Sequence, residues 1–204
     1  MCEEIYLGVS GSHTLFHGKS VRLIVGEPRQ DTTTMSCQNI TGNVMGGVGG
    51  KFLDHFGYKL LASYSPTHVK GHRSTRTIPG VYDLVEFTRT DAYHLTLQIA
   101  YAIGAFSPYL NLNYTYARWR IKSLTHQSRV GSVVSKKEIA QFKHGGGLGV
   151  GISYTAFQNI NLFAEFNYRV YQSPKISHRC HCHFASFRPQ ESQFSLGLLY
   201  KFTL

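Results

Sequence analysis

The chain has 204 residues, of which 42% are hydrophobic and only 16% charged, and 21 Lys plus Arg against 11 Asp plus Glu give a formal net charge of +10. No run approaches the ~18 apolar residues of a membrane-spanning helix, so any passage through a bilayer has to be made by strands of about 9–11 residues. The basic residues do not gather on a helix or beside an RNA-binding motif, so nucleic acid is not an expected partner.

Strand side chains alternate sides, so period-2 alternation marks two different environments across one sheet. The first residues, Met1-Cys-Glu-Glu, carry no basic n-region and no export signal is expected there. Ile5, Leu7 and Val9 oppose Tyr6, Gly8, Ser10 and Ser12. A glycine-rich stretch follows from Val44 to Phe52, with Val44, Val48 and Phe52 on one side. Tyr58, Leu60, Ala62 and Tyr64 then oppose Lys59, Leu61 and Ser63.

The second half is clearer. Tyr93, Leu95, Leu97, Ile99, Tyr101 and Ile103 face away from His94, Thr96, Gln98 and Ala100, and Leu110, Leu112, Tyr114 and Tyr116 away from Asn111, Asn113 and Thr115. Leu148, Val150, Ile152 and Tyr154 oppose Gly147, Gly149, Gly151 and Ser153; Leu162, Ala164, Phe166 and Tyr168 oppose Asn161, Glu165, Asn167 and Arg169. In the last segment Phe194, Leu196, Leu198, Tyr200, Phe202 and Leu204 oppose Ser195, Gly197, Lys201 and Thr203. These are eight strands.

Three connections are short and carry Gly, Pro, Asn or Asp: Leu53 to Phe56, Gly104 to Pro108, and Ala156 to Asn159. The other four, near 14–42, 66–91, 120–142 and 172–192, far exceed a hairpin loop of about 2–5 residues and are expected as long loops. Short and long ends then fall on opposite rims of an up-and-down barrel. Phe52, Phe106, Tyr109, Phe157 and Phe202 fall near the short-turn rim, and Tyr64, Tyr93, Tyr116, Tyr168 and Phe194 near the other. Two aromatic belts flanking aliphatic residues suit the two membrane–water interfaces.

Parity alone does not say which face is inside, and a soluble lipocalin-like barrel with a greasy cavity is the alternative. Water would favour Lys and Glu on the non-greasy face, yet that face offers Gly, Ser, Thr, Asn and Ala, which suit a narrow lumen. The greasy face is therefore expected to point outward, in one domain spanning 1–204.

With Gly145-Gly-Gly-Leu-Gly-Val-Gly-Ile-Ser-Tyr154, Asn161-Leu-Phe-Ala-Glu-Phe-Asn-Tyr-Arg169, the Ser107-Pro-Tyr-Leu110 turn and the terminal Phe194 to Phe202 pattern, the chain resembles the eight-stranded outer-membrane barrels of the OmpA/Opa (opacity-protein) type from Gram-negative bacteria. The resemblance implies an all-β antiparallel barrel with three short periplasmic turns, four long extracellular loops and periplasmic termini. It also implies a terminal aromatic read by the insertion machinery; here Phe202 is followed by Thr203 and Leu204. No peptidoglycan-binding segment follows the last strand, so cell-wall anchoring is not expected.

At lumen parity the charged residues are Lys59, Glu165, Arg169 and Lys201, with Lys51 less clear. An unpaired charge in a narrow barrel is costly, so Glu165 is expected to meet one of the cations, either as a plug or along a polar pathway. The loops hold most of the remaining basic residues, among them Arg73, Arg76, Arg118, Arg120, Lys136, Lys137 and Arg179. Such a rim suits outer-membrane lipids and lipopolysaccharide phosphates; the resemblance adds host glycans or a host receptor as adhesion partners. A monomer is expected, because a closed barrel has no edge that demands a partner.

Two constellations could carry other chemistry. His178-Arg-Cys-His-Cys-His183 holds competent metal ligands, but the spacing of Cys180 and Cys182 matches no usual zinc hairpin and a disulfide from either to Cys37 is equally open. His126-Gln-Ser128, with Glu138 downstream, is similar to the His-x-Ser pair of outer-membrane lipid A deacylases, although Arg129 stands where an Asn normally follows. The expectation is a non-enzymatic barrel with no metal and no cofactor, whose strands are scaffold and whose basic loops meet the surface.

Overall fold

A computed structural model describes the backbone of residues 4–24, 30–66, 69–78, 81–127, 132–173, 175–177 and 183–203, and their side chains except at 19–24, 30–35, 69, 71–78, 81–85, 123–127, 132–137, 175–177 and 183–188. The strands in chain order are β1 (Glu4–Ile24), β2 (Gln30–Lys51), β3 (Phe56–Ser65), β4 (Val69–Ile78), β5 (Val81–Tyr101), β6 (Phe106–Gln127), β7 (Ser132–Phe157), β8 (Ile160–Tyr171), β9 (Lys175–Ser177) and β10 (His183–Thr203). Eight of them form an antiparallel ring in the order β1-β2-β3-β5-β6-β7-β8-β10, closed by β1 pairing with β10 from Glu4↔Thr203 to Ile24↔His183. The other two are side additions: β4 pairs with β5, and β9 with β10.

All eight alternating segments fall on ring strands, with Phe52 and Ile103 just past their ends and Leu204 outside the described residues. Gly104 and Ala105 form the tightest connection, where Ile103 and Phe106 exchange both backbone hydrogen bonds (2.8 and 3.1 Å). Gly104 has φ of 60° and is the described turn residue with positive φ, as the first central position of a type II′ hairpin turn requires. The turn at 158–159 also has two residues and that at 52–55 has four, so three short connections cluster at one rim.

The greasy face points outward. Leu112 is 58% exposed while Asn111 beside it is 2% exposed, and Leu148 reaches 68%. That excludes the lipocalin arrangement, in which this face would line a cavity. Outward aromatics pair at both levels: Phe56 with Tyr101 and Phe106 with Tyr154 near the short turns, Tyr64 with Tyr93 and Tyr116 with Phe142 at the other. From Tyr93 to Tyr101 a strand rises about 27 Å, or roughly 20 Å along the normal at the usual tilt, close to the ~25 Å apolar band of such barrels. Tyr109 departs from the expected belt; it has lumen parity and is buried.

The expected long loops are largely strand. β1 and β2 run on to Ile24 and back from Gln30, β6 and β7 meet as far as Gln127↔Ser132, and β4 pairs with β5 inside 66–91. Greasy alternation fades there because the outer face has left the hydrocarbon, not because pairing stops. Above the aromatic level the sheet therefore stands as two walls, β9-β10-β1-β2 and β4-β5-β6-β7.

Candidate functional site

The barrel interior changes character in three steps from the short-turn end. Lowest is an apolar cluster of Tyr6, Leu61, Phe163 and Leu199, with Met45 against it. Gly197 makes room for it: a Cβ there would sit 2.4 Å from the Phe163 ring. At this mouth Lys201 Nζ lies 3.3 Å from Glu4 Oε1, Tyr6 donates to Glu4, and Lys59 Nζ sits 4.7 Å from the centre of the Tyr6 ring.

The middle is polar. Asn43 donates to Ser10 and Ser12 (3.0 and 2.8 Å), Ser12 donates to Ser195 (2.9 Å), and His94 Nδ1 lies 2.8 Å from Thr115 Oγ1. Asn111 and Asn113 both donate to Asn167 Oδ1 (3.3 and 2.8 Å). The cavity at this level, lined by Ser10, Asn43, His94, Gln98, Glu165 and Arg169 among others, leaves about 30 Å³ for the centres of water molecules. That is space for about two or three waters.

Above it lies a buried charge cluster. Glu191 accepts from Arg89 Nη1 (2.8 Å) through Oε2 and from Arg169 Nη1 (3.0 Å) through Oε1, while Tyr171 donates to the same carboxylate. Arg169 also donates to Gln193 Oε1 (2.5 Å). Phe16, Phe87, Ala92, Ala117, Trp119, Ile121 and Tyr171 pack over this cluster, with Phe16 edge-on to Trp119 (5.5 Å) and the Arg89 guanidinium 5.0 Å from the Phe16 ring. The lumen is stoppered at both ends.

Arg169, Glu165, Lys59 and Lys201 stand at inward positions, but the expected pairing of Glu165 is corrected. It accepts instead from Tyr109 (3.3 Å), Asn111 (3.0 Å) and Asn167 (2.9 Å), while Arg169 goes to Glu191 and Lys201 to Glu4. Neutral amides and a phenol satisfy the carboxylate because it faces the polar middle, where β6 and β8 supply Asn side chains in register with it.

The residues that sequence reasoning missed are Glu191 and Arg89. Extending the inward parity of Ser195 upward through Gln193 reaches Glu191, so that signal was present. Arg89 is different. Between Arg89↔Trp119 and Ala92↔Ala117 the β5 strand has one more residue than β6, a bulge that reverses parity and brings Arg89, Thr90 and Ala92 all into the interior.

On the outer wall, Arg118, Arg120 and Lys122 take the outward positions of β6 immediately beyond Tyr116, whose ring stacks on Phe142 at 4.7 Å and 9°. Arg120 Nε is 3.2 Å from Glu138 Oε1. Both arginines are thus strand residues, not loop residues. Arg73 and Arg76 lie on β4 and Lys136 and Lys137 on β7, their side chains outside the described set; Arg179 lies outside the described residues, as do Cys180, Cys182 and Ser128. Cys37 is a free thiol at the edge of the upper apolar cluster. His126 lies four positions along β6 from Lys122, the register partner of Glu138, and so roughly 14 Å away along the sheet.

A closed antiparallel ring with an apolar, aromatic-bounded exterior and a polar, stoppered interior is a membrane-spanning β-barrel. The sequence matches the outer membrane protein beta-barrel domain family over residues 5–202, and the chain belongs to that family. No curated protein matches it. Among solved structures it is similar to OprG of Pseudomonas aeruginosa (14% identity, covering 100% of this chain and 98% of that one, TM-score 0.57). It is also similar to the outer membrane protease OmpT of Escherichia coli (10% identity, 98% and 97%, TM-score 0.53). A third is Ail, the attachment invasion locus protein of Yersinia pestis (14% identity, 99% and 100%, TM-score 0.41). At these identities the likeness is one of fold.

Proposed function

We propose that this bacterial outer-membrane barrel is a closed, non-catalytic surface scaffold whose basic collar binds anionic groups, with lipopolysaccharide phosphates as the first partner. In this reading the tall walls face outside the cell, and the short turns with both ends of the ring face the periplasm. The protein acts as a monomer, because its ring has no free edge within the membrane band. A lumen stoppered by two apolar clusters supports a role on the exterior and not in transport.

The observation that carries the collar is the order of outward residues on β6: Leu110, Leu112, then Tyr114, Tyr116, then Arg118, Arg120, Lys122. Hydrocarbon, interface and phosphate layers follow one another in that order across an outer leaflet. A non-catalytic role accords with the commitment of Glu138 to Arg120 and its distance from His126.

The test is binding of the folded protein to lipopolysaccharide-containing vesicles after Arg118→Gln and Lys122→Gln. A surface charge contributes about 1 kcal/mol, so the double variant should bind roughly 30-fold more weakly and with reduced salt sensitivity. Unchanged affinity and salt dependence would dispose of the collar. Sulfated host glycans share this chemistry, and heparin in the same assay separates them: retention on heparin with no preference for lipopolysaccharide assigns adhesion instead.

A further inference from the structure

Among the described residues the two walls above the membrane band share no backbone pairing, although β2 and β4 approach each other and β9 lies on the β7 side of β10, and one unpaired edge is well defined. β7 pairs with β6 along its whole upper length, from Tyr116↔His144 to Gln127↔Ser132. Its pairing with β8 ends at Gly145↔Tyr171, where Gln172 N–H donates to the His144 carbonyl at 2.8 Å. That bond fixes direction: the His144 carbonyl points away from β6. Backbone groups of alternate residues share a side, so the N–H and C=O of Phe142, Ala140 and Glu138 point the same way, and no other described strand is paired with them there.

We propose that this edge, Glu138 to Phe142, is a docking site for an extended acidic segment of another polypeptide, which adds to the β4-β5-β6-β7 wall as a further strand. This goes beyond binding of lipid or glycan anions, because recognition runs through main-chain hydrogen bonds. A row of unpaired N–H and C=O groups at a sheet edge is a template for such pairing. The charge selects the occupant. Segment 132–144 contributes Lys136, Lys137 and Lys143 against Glu138, and the adjacent outward positions of β6 contribute Arg118, Arg120 and Lys122. A second copy of this chain, at +10, would be repelled; an acidic strand is attracted, and the lysines discourage indiscriminate pairing.

The experiment uses the folded full chain in detergent micelles, with a short acetylated peptide of alternating glutamate and valine as probe and amide hydrogen exchange as readout. The expected result is exchange at Glu138, Ala140 and Phe142 slowed roughly tenfold or more, with Ile139 and Gln141, already bonded to β6, unaffected. The same peptide N-methylated at every residue keeps its charge but loses its donors and should give no protection. Ala140→Pro removes one edge donor where proline is tolerated, and should abolish protection while heat-modifiable migration on a gel stays intact. Equal binding by the N-methylated peptide, retained protection in the proline variant, or no protection by the first peptide overturns the proposal. None of these outcomes depends on whether lipopolysaccharide binds.

Discussion

Strand β6 passes through two regions of the molecule without breaking its alternation, and the two regions are chemical opposites. In the lower region Leu110, Leu112, Tyr114 and Tyr116 face out and Asn111, Asn113 and Thr115 face in; in the upper, Arg118, Arg120 and Lys122 face out and Ala117, Trp119 and Ile121 face in. Nothing in the backbone changes between them. The medium outside does: lipid below, water above. A strand has two faces everywhere, and the surroundings decide which one is greasy.

The largest effect that would break this comparison comes from the buried charges at the junction. Glu191→Ala leaves Arg89 and Arg169 without their carboxylate in a fully enclosed site, and should cost about 3–5 kcal/mol in urea unfolding from lipid vesicles. Next is the apolar cluster that fills the upper region. Trp119→Ala should cost about 3 kcal/mol or more, whereas Leu112→Ala, on the outer face below, should cost clearly less in the same titration.

Charge insertion sharpens the contrast directly. Leu148→Arg places a cation on the lipid face midway along the band and should lose about 2–4 kcal/mol. Ala140→Arg, exposed on the same strand and the same parity but above the belt, should stay within about 0.5 kcal/mol. Equal losses would mean that both positions see the same medium. A small loss is also expected for Lys201→Gln at the short-turn mouth, where the pair with Glu4 is partly solvent-exposed and contributes at most about 1 kcal/mol.

Legibility of the fold followed the same division. In the lipid band, contrast between the two faces is steep, and all eight ring strands could be read from parity alone. Above it, polar outward residues and a few scattered inward aromatics such as Phe16 and Phe87 give a pattern that reads as loop, although the same strands continue. Tyr109 was misplaced because an aromatic near a turn looks like a belt residue unless its parity is weighed first. Lumen charges were recognisable one by one, but their partners were not: Glu165 and Arg169 share a strand and a face, yet each is satisfied by residues from other strands.

By itself the sequence determined the eight strands of the ring, the short turns and the existence of a greasy face, because these depend on residue order over a few positions. The structure bore out the outward greasy face expected from the small residues opposite it, but only the tertiary structure decided how the lumen is filled and that Arg89, Glu191 and Arg169 meet. Arg89 shows the physical reason most plainly. Its inward position depends on a single extra residue in β5 relative to β6, and a register difference between two strands has no signature in either strand alone.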